Sequence, residues 1–324
     1  MPATAPKLQN VIFEDQQPDA GESRAELLAG LQLPQKKINP KYFYDARGSE
    51  LFEQITELQE YYPTRTEIDI LKRHAGEIAR YCGSDCVLVE PGSGSSEKVR
   101  LLLDSVRPAA YVPVDISADF LYESALKLGS EFPWLTVHAI CADFADQWQS
   151  RTELPEGRRV VFYPGSTIGN MEPRDATAFL SSLRQWIGSD GGVLVGVDLH
   201  KSEQVLNAAY NDARGVTARF NLNILNSVNK LADADFSGKK FTHRAFYNRH
   251  LKRIEMHLVS REVQTVNVNG SAIQFDKGET LHTENSYKYS LQDFEALAGA
   301  AGFSLQKSWL DDNKLFSVHY LGAA

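Results

Sequence analysis

The 324-residue sequence is short of cysteine, of long apolar runs and of basic charge. Its cysteines, Cys82, Cys86 and Cys141, form an odd-numbered set, which favours buried, reduced thiols over a disulfide framework. No stretch approaches the roughly 20 consecutive apolar residues of a membrane helix, and the N-terminus lacks the basic-then-apolar profile of a secretory signal. We therefore expect a cytoplasmic protein that has no membrane partner.

The charge balance is acidic, because 34 Lys and Arg residues face 42 Asp and Glu residues for a net charge of -8. Nucleic-acid-binding proteins usually collect Lys and Arg into a dominant patch, so no nucleic-acid partner is expected. The eight histidines are scattered, without a pair at helical ligand spacing or a Cys–His cluster, so no metal is expected. With 43% hydrophobic residues, the chain can fill one large or two modest domains. We expect a monomer that acts on a small molecule.

A glycine-containing loop organises the predicted fold. The apolar run Val87–Val89 leads to Gly92, Ser93 and Gly94, and a helical pattern follows that includes Lys98, which together predict a strand, a tight loop and a helix. Because glycine has no Cβ, a ligand can lie directly on this backbone, and the first N–H groups of the following helix point at it. The loop is a candidate nucleotide-type site, although a Gly-x-Gly after a strand also occurs in plain turns.

Carboxylates stand at the ends of the next two predicted strands. Asp115 ends a strand at 110–115, about 20 residues beyond the glycine loop, where doubly wound nucleotide sites hold an acid against ribose hydroxyls. Asp143 and Phe144 follow a strand at 136–141, and an acid followed by an aromatic ring can hold an adenine amino group and stack on the base. A solvated loop acid is the alternative interpretation of Asp143.

The end of the chain indicates the class of nucleotide-binding sheet. Strands at 159–163 and 192–198 complete a parallel set, and the polar loop after the first of them carries Asn170 toward the crevice beyond the strand ends. After a helix capped by Ser290, two strands close the chain, and the last is predicted to be antiparallel. Such a hairpin is typical of S-adenosylmethionine-dependent methyltransferases. Dinucleotide dehydrogenases end differently and carry a third glycine where this chain has Glu97.

Between residues 199 and 290 the pattern changes to two helices and several short strands, with Asn269-Gly270 as a strong hairpin signal. This insertion is predicted to fold with the N-terminal arm as a second domain over the crevice. The predicted division is a methyltransferase domain of residues 65–198 and 291–324 and a substrate-binding domain of residues 8–64 and 199–290.

Aromatic residues are dense in the N-terminal arm. The segment from Tyr42 to Tyr62 mixes tyrosines and phenylalanines with charged residues, which suits either the edge of a core or a pocket for a polar aromatic ligand. Thr64 and Glu67 have the spacing of a capping box, which predicts that a helix starts there and runs toward Ile78.

Several longer segments carry a family resemblance. They are YFYDARG at 42–48, YYPTR at 61–65, GSGSSEK at 92–98, GSTIGN at 165–170 and TENS at 283–286. In this order they make the chain similar, over nearly its whole length, to the histidine Nα-methyltransferases of ergothioneine biosynthesis, the hercynine synthases. The resemblance implies an α/β class I S-adenosylmethionine-dependent methyltransferase, with a doubly wound sheet, an antiparallel last strand and a second, α+β substrate-binding domain.

The resemblance also implies which residues hold the cofactor S-adenosylmethionine and the amino-acid substrate. Those on the cofactor side are Gly92, Ser93, Gly94, Lys98, Asp115, Asp143 and Phe144. Those on the substrate side are Tyr44, Tyr61, Asn170, Tyr210, Met256, Glu284 and Ser286. Tyr44 and Asn170 are the catalytic candidates because they orient the amine, whereas Glu284 and Ser286 hold the imidazole ring. Pro91 departs from the family pattern, in which an apolar residue such as Leu is expected, and it stiffens the loop.

The implied reaction is Nα-methylation of L-histidine, continuing to the trimethylated betaine hercynine and leaving S-adenosylhomocysteine. Methyl transfer from a sulfonium needs alignment more than a strong general base, so positioning is expected to carry most of the catalysis. A carboxylate and a hydroxyl suit the two imidazole nitrogens, which an indole or a phenol could not both satisfy. Two alternatives stay open: methylation of another aromatic amino acid such as tryptophan or tyrosine, and a cofactor-binding protein without catalysis.

Overall fold

The computed structural model describes residues 8–17, 20–144 and 153–324. Within these ranges the strands are β1 (Val11–Asp15), β2 (Val87–Pro91), β3 (Ala110–Asp115), β4 (Thr136–Cys141), β5 (Arg159–Tyr163), β6 (Gly192–Asp198), β7 (Phe241–Asn248), β8 (Arg253–Ser260), β9 (Gln264–Val268), β10 (Ser271–Phe275), β11 (Thr280–Tyr287), β12 (Phe303–Leu310) and β13 (Phe316–Ala323). The helices are α1 (Ala20–Leu31), α2 (Ala46–Thr56), α3 (Tyr62–Cys82), α4 (Glu97–Val106), α5 (Ala118–Glu131), α6 (Pro173–Ile187), α7 (Glu203–Tyr210), α8 (Val216–Ala232) and α9 (Leu291–Ala300). Short 3₁₀ turns occur at Pro40–Phe43, Thr167–Asn170 and Gly238–Lys240.

A mixed sheet forms the centre of the fold. In the described part of the chain it has eight strands in the order β1-β4-β3-β2-β5-β6-β13-β12. Neighbours from β1 to β6 run parallel, whereas β13 pairs antiparallel with β6 and β12 pairs antiparallel with β13. This order confirms the predicted doubly wound sheet with an antiparallel closing hairpin.

The parallel strands form because helices bury both of their faces. In β5, Val160 and Phe162 belong to a hydrophobic cluster with residues of α3, α4 and α5. The alternate residues Val161 and Tyr163 belong to a second cluster, with residues of α6 and α9. Strands that are covered on both sides are apolar at nearly every position, as these are. The edge formed by the strands' carboxyl ends is left for loops that carry function.

Strand β1 corrects part of the predicted division of the chain. The sequence assigns residues 8–64 to the substrate-binding domain, but β1 pairs in parallel with β4 at the edge of the large sheet. Asn10 helps to hold this register, because its side-chain amide donates to the carbonyl oxygens of Gly129 and Leu135, at 3.0 Å each. The strand gives the outer backbone groups of β4 the hydrogen-bond partners that they need.

A second body of structure combines the N-terminal helices with the insertion after β6. Among the described residues it contains a three-stranded antiparallel sheet in the order β11-β8-β7 and the hairpin β9-β10, which turns at Asn269-Gly270 as predicted. One hydrophobic cluster joins residues of this sheet and hairpin to residues of α1, α2, α7 and α8. Segments that come before and after the strands β2 to β6 in the sequence therefore share one hydrophobic cluster.

The start of α3 differs from the sequence prediction. This helix begins at Tyr62 with Pro63 in its first turn, so the capping box predicted at Thr64 is wrong. Proline suits that turn because its missing N–H would be unpaired there anyway. The TENS segment at 283–286 lies in β11, which has a bulge between His282 and Glu284.

Other local predictions are confirmed. Ser290 caps α9, and its hydroxyl accepts a hydrogen bond from the Asp293 backbone N–H at 3.0 Å. Cys82, Cys86 and Cys141 are free thiols and all three are buried. Among the helices in the described ranges, none combines the length and apolar character that crossing a membrane requires.

Candidate active site

The glycine loop lies where β2 and β3 end side by side. Gly92 and Gly94 have φ angles of +70° and +52°, in the left-handed region that glycine enters without steric cost. The Gly92 N–H donates to the carbonyl oxygen of Val114 at 2.7 Å, and the Gly94 N–H donates to Asp115 Oδ2 at 2.9 Å. Asp115 also accepts the Ser117 N–H at 3.0 Å. The loop and the predicted ribose acid therefore hold each other in position.

The surroundings of this loop fit the cofactor that the resemblance implies. A Cβ on Gly92 would lie 3.3 Å from the Phe144 ring, so a bare backbone preserves the space beside that ring. The Ser93 hydroxyl is buried and has no hydrogen-bond partner within the described residues, which leaves it available to a bound molecule. Phe144 is braced by Tyr163, with ring centroids 6.0 Å apart. Backbone, hydroxyl and aromatic face thus meet at one place.

Asp143, the predicted adenine-binding acid, lies beside the N-terminal segment. Its carboxylate pairs with Lys41 at 2.9 Å, and Lys41 also pairs with Glu26 at 2.6 Å. The Asp143 side chain is only 15% exposed, so the alternative of a solvated loop acid is wrong. The Pro40–Phe43 turn is therefore joined by an ion pair to the predicted adenine-binding acid.

Lys98 does not stand alone after the glycine loop. Its ammonium group lies 2.6 Å from Glu67 Oε2, and the Glu67 carboxylate also accepts the Gly165 N–H at 2.9 and 3.0 Å. Glu67 is 1% exposed, and a Cβ on Gly196 would collide with it. The sequence analysis missed this role of Glu67. An acid among the apolar positions of an amphipathic helix is the signal that could have revealed it.

Several predicted substrate residues belong to a cluster of aromatic rings in the second body of structure. The Tyr61 and Tyr210 rings have centroids 6.2 Å apart, and Phe52 contacts Tyr61 at 6.4 Å. Tyr44 packs against Phe52 at 5.8 Å and against Phe220 at 6.0 Å. Phe52 and Phe220 were not among the predicted site residues, because nothing in their local sequence distinguishes them from ordinary core positions.

Tyr44 belongs to the same aromatic cluster as Tyr61 and Tyr210. Burial raises the pKa of its hydroxyl, and the nearby carboxylates of Glu284 and Asp115 raise it further. Burial and the Glu284 charge also raise the pKa of Tyr61 and Tyr210. All three hydroxyls are therefore protonated at neutral pH and can donate hydrogen bonds. The charge of Glu284 thus acts on all three hydroxyls, and the charge of Asp115 acts on Tyr44 as well.

Glu284 and Ser286 lie two residues apart on β11, and therefore on the same face of this strand. Glu284 stands opposite Met256 of β8, after the bulge, and Met256 is 2% exposed. The Glu284 side chain is only partly covered and makes no hydrogen bond within the described residues, yet burial raises its pKa to about 8. This combination describes a carboxyl group that lines an internal space. The Ser286 hydroxyl is hydrogen-bonded to the Tyr210 hydroxyl at 2.8 Å.

Asn170 approaches the same strand from the other body of structure. It ends the 3₁₀ turn Thr167–Asn170, which follows β5. A Cβ on Gly169 would lie 2.8 Å from the Tyr287 carbonyl oxygen, so this turn packs directly on the β11 backbone. The Asn170 side chain is half-buried and makes no hydrogen bond to the rest of the described chain. Its amide is thus free to bind a ligand.

A histidine cluster lies on the three-stranded sheet, where the sequence showed no metal-type spacing. Glu255, His257 and His282 have potential ligand atoms within 4.8 Å of one another. However, the imidazole rings stack with planes only 22° apart, so their in-plane lone pairs do not converge on one point. The Glu255 carboxylate is already paired with Arg253 at 2.9 Å and with His257 Nε2 at 3.0 Å. We assign the cluster to side-chain packing and assign no metal to it.

Comparison with known proteins adds independent information. Residues 23–323 match the profile of a family described as histidine-specific methyltransferase, SAM-dependent. The chain is 41% identical over 310 residues to the histidine N-alpha-methyltransferase of Mycolicibacterium smegmatis, covering 94% of this chain and 95% of that protein. It is 29% identical over 298 residues to ergothioneine biosynthesis protein 1 of Neurospora crassa, covering 86% of this chain and 32% of that protein. A 4-dimethylallyltryptophan N-methyltransferase of Epichloe festucae var. lolii is 28% identical over 313 residues, covering 88% of this chain and 90% of that protein.

Proposed function

Because the chain belongs to the family of S-adenosylmethionine-dependent, histidine-specific methyltransferases, we propose that it methylates the α-amino nitrogen of L-histidine. We further propose that the reaction continues to the trimethylated product hercynine, which ergothioneine biosynthesis consumes. The relative from Neurospora crassa, named for that pathway, supports the second point. The single observation that carries the proposal is the packing of the turn that carries Asn170, at the end of the large sheet, directly on the backbone of β11, the strand that carries Glu284 and Ser286.

The proposed division of labour follows from what each group can do. Bound S-adenosylmethionine supplies an electrophilic methyl group on a sulfonium centre. Gly92, Gly94 and the Ser93 hydroxyl would bind the cofactor together with Lys98. Asp115 would accept hydrogen bonds from the ribose hydroxyls of the cofactor. Asp143 would accept a hydrogen bond from its adenine amino group, and Phe144 would stack on the adenine ring. These roles are proposals that rest on the loop geometry and on the Ser93 hydroxyl, which has no hydrogen-bond partner in the described chain.

On the substrate side, the Asn170 amide and the Tyr44 hydroxyl would orient the amine nitrogen. Tyr61 and Tyr210 would line the space around the amino-acid backbone, with Met256 packing beside the ring. A site that aligns nitrogen, methyl carbon and sulfur supplies most of what this displacement needs, because the leaving group is already good. The substrate held by its ring could present its amine again after each transfer, which is the basis for proposing trimethylation.

Glu284 and Ser286 would provide selectivity for histidine. An imidazole offers an N–H to one of them and a second ring nitrogen to the other, whereas an indole would leave a buried polar group unpaired. Such a loss costs about 1–3 kcal/mol, which is roughly tenfold to a hundredfold in selectivity. The relative named for 4-dimethylallyltryptophan makes tryptophan the competitor to test.

The test measures products and competition together. Purified enzyme and S-adenosylmethionine are incubated with histidine, tryptophan or tyrosine, and mass spectrometry counts the methyl groups on each. We expect histidine to gain three methyl groups. Glu284→Ala is expected to lower kcat/KM for histidine tenfold to a hundredfold and to narrow the gap to tryptophan. Unchanged histidine kinetics in that variant would overturn the assignment of Glu284, and methylation of tryptophan alone would overturn the proposed substrate.

The division of the chain and its assembly are also proposals. We propose that residues 65–198 and 291–324, joined by β1, form the methyltransferase part, and that most of residues 8–64 and 199–290 form the substrate-binding part. We propose a cytoplasmic monomer that has no nucleic-acid partner. Size-exclusion chromatography with light scattering should give a mass close to the 36.2 kDa of one chain.

A further inference from the structure

A buried charge cluster lies next to the proposed imidazole pocket. Asp198, at the end of β6, pairs through Oδ1 with Lys201 at 2.6 Å and through Oδ2 with Lys288 at 2.7 Å. Tyr62 donates its hydroxyl proton to the same carboxylate. The Asp198 and Lys288 side chains are each 1% exposed. Burying charge is expensive, so a second lysine on one buried carboxylate calls for a role beyond neutralising it.

Lys288 also contacts the substrate side of the site. Its ammonium group donates to Ser286 Oγ at 2.7 Å and lies 3.4 Å from the Tyr210 hydroxyl oxygen. Tyr210 and Ser286 are themselves joined at 2.8 Å. Lys201, on the same carboxylate, has no such contact: its further hydrogen bond goes to the backbone carbonyl oxygen of Leu199.

The hydrogen-bonding capacity of Ser286 is therefore largely committed. A serine hydroxyl has two acceptor lone pairs and one proton, whereas an ammonium group can only donate. Lys288 takes one lone pair of Ser286 Oγ, and the Tyr210 hydroxyl lies against the other. What Ser286 has left to offer the pocket is its proton.

We propose that Lys288 is a specificity-determining positioning residue that makes Ser286 a hydrogen-bond donor to the unprotonated ring nitrogen of the substrate. This inference rests on the proposed function. With Ser286 donating and Glu284 accepting, the pocket selects a neutral imidazole in a single tautomer. Indole and phenol rings have no in-plane acceptor nitrogen, so the same arrangement rejects them. Asp198 holds the lysine in place, and Lys288 acts on the substrate ring through Ser286.

The chain offers a matched control in Lys201. Lys288→Met and Lys201→Met each remove one buried ammonium group and one ion pair from Asp198, and each leaves the other lysine and Tyr62 in place. Only the first variant removes the bond to Ser286. We expect Lys288→Met to raise KM for histidine about tenfold, as for the loss of one charge-assisted hydrogen bond, with little change in kcat. Lys201→Met should leave KM within about twofold of wild type.

A double-mutant cycle separates action through Ser286 from a structural role. Ser286→Ala should raise KM for histidine by itself, and adding Lys288→Met to it should raise KM no further. Affinity for S-adenosylhomocysteine, measured by isothermal titration, should be the same in all variants. Lys288→Arg keeps a positive charge paired with Asp198, but its differently shaped side chain moves the hydrogen-bond donor away from Ser286. It should also raise KM, and it provides the comparison if Lys288→Met does not fold.

Each outcome bears on the proposal. Equal KM increases in the two lysine-to-methionine variants, fully additive effects of Lys288→Met and Ser286→Ala, or an unchanged KM in both Lys288 variants would overturn it. Wild-type enzyme assayed beside them tests the proposed function separately. Failure of wild type to methylate histidine counts against that function, whereas wild-type activity with an unaffected Lys288 variant counts against the role of Lys288.

Discussion

Glu90 and Glu284 show that the same pKa shift can arise in two different settings. Burial raises the pKa of both Glu90 and Glu284 from 4.5 to about 8. Glu90 is 2% exposed and accepts a hydrogen bond from the Tyr111 hydroxyl, so its carboxyl group already has a partner within the protein. Glu284 has no such partner in the described chain. An acid with a shifted pKa and no hydrogen-bond partner indicates a functional site better than an acid with the same shift whose hydrogen bonds are made within the protein.

The direction of these shifts also determines how stability depends on pH. A folded-state pKa above the unfolded value of 4.5 means that the native protein holds the proton more tightly. The stabilisation from each group is therefore fully present below about pH 4.5 and is lost as pH rises through about 8. A ligand that binds only the ionised form of Glu284 must therefore offset the free energy by which the native protein favours the protonated form.

Histidine binding should release protons from Glu284. A ring N–H facing this residue favours the carboxylate, so binding lowers its pKa, and histidine affinity should strengthen as pH rises through about 8. At pH 7.5 we expect isothermal titrations in buffers of different ionisation enthalpy to show more proton release for wild type than for Glu284→Gln. The variant still includes the protons released by the substrate amine and ring. Equal release in the two proteins would mean that Glu284 binds the ring as a neutral acid.

At the scale of elements, Glu172 links the Asn170 turn to the small sheet. It lies two residues after Asn170 and pairs with Arg253 of β8 at 2.6 Å. It also accepts the Tyr287 hydroxyl at 2.5 Å and the Asn285 amide at 3.1 Å, both from β11. Burial raises its pKa, but the hydrogen bond from Tyr287 and the charge of Arg253 outweigh this effect and leave the pKa below its ordinary value. One carboxylate thus fixes the distance between Asn170 and the strand that carries Glu284.

Loosening this link should slow the chemical step. Glu172→Gln keeps the size of the side chain but weakens the bond to Arg253, so the Asn170 turn can shift relative to β11. We expect kcat for histidine to fall about two- to tenfold, because small misplacements are costly in a reaction that depends on alignment. Affinity for S-adenosylhomocysteine should not change.

A matched control for this variant is Glu203→Gln. Glu203 also forms an ion pair with an arginine, Arg249, but Arg249 is 77% exposed and Glu203 is 35% exposed. Exposed pairs contribute little to stability, and this one contacts no proposed site residue, so kinetics should match wild type. A similar loss of kcat in both variants would show that Glu172 has no special role in positioning Asn170.

At the scale of the whole molecule, the proposed site depends on two bodies of structure, the large sheet with its helices and the body around α8, whose hydrophobic cores are separate. The glycine loop, Asp115 and Asn170 extend from the large sheet and its loops. Tyr44 and Glu284 belong to the body that packs around α8 and the small sheet. Neither core alone can assemble the site, so binding of the two ligands should stabilise the structure in a linked way.

Thermal unfolding can separate the stabilisation by S-adenosylhomocysteine from the stabilisation by histidine. A ligand present at 100 times its Kd stabilises the native state by about 2.7 kcal/mol. We expect S-adenosylhomocysteine to raise Tm and histidine to raise it further. Glu284→Ala should lose most of the histidine increment and keep the cofactor increment, whereas Asp115→Asn should lose most of the cofactor increment. Loss of both increments in Glu284→Ala would instead point to a general structural defect.

Local sequence was sufficient for features that arise from short-range physics. Apolar alternation and the turn residues predicted the strands β2 to β6, the closing hairpin and the Asn269-Gly270 turn, because each depends on neighbouring residues. The loop at Gly92 and the acid Asp115 were predictable because strand ends and helix starts define where ligands lie. The substrate residues were not predictable in this way; only resemblance to a family singled out Tyr44 and Glu284.

Tertiary structure decided everything that joins distant segments. The pairing of Glu67 with Lys98 and Gly165, the anchoring of Glu172 by Arg253, and the contact of Lys288 with both Asp198 and Ser286 bring together residues that no periodicity relates. β1 joined the large sheet for the same reason, since a free sheet edge accepts whichever strand the fold brings to it. The sequence by itself determined most of the elements of the large sheet and the glycine loop. Only the packing of two cores determined which polar groups became buried, and therefore which had to find partners and which were left for a substrate.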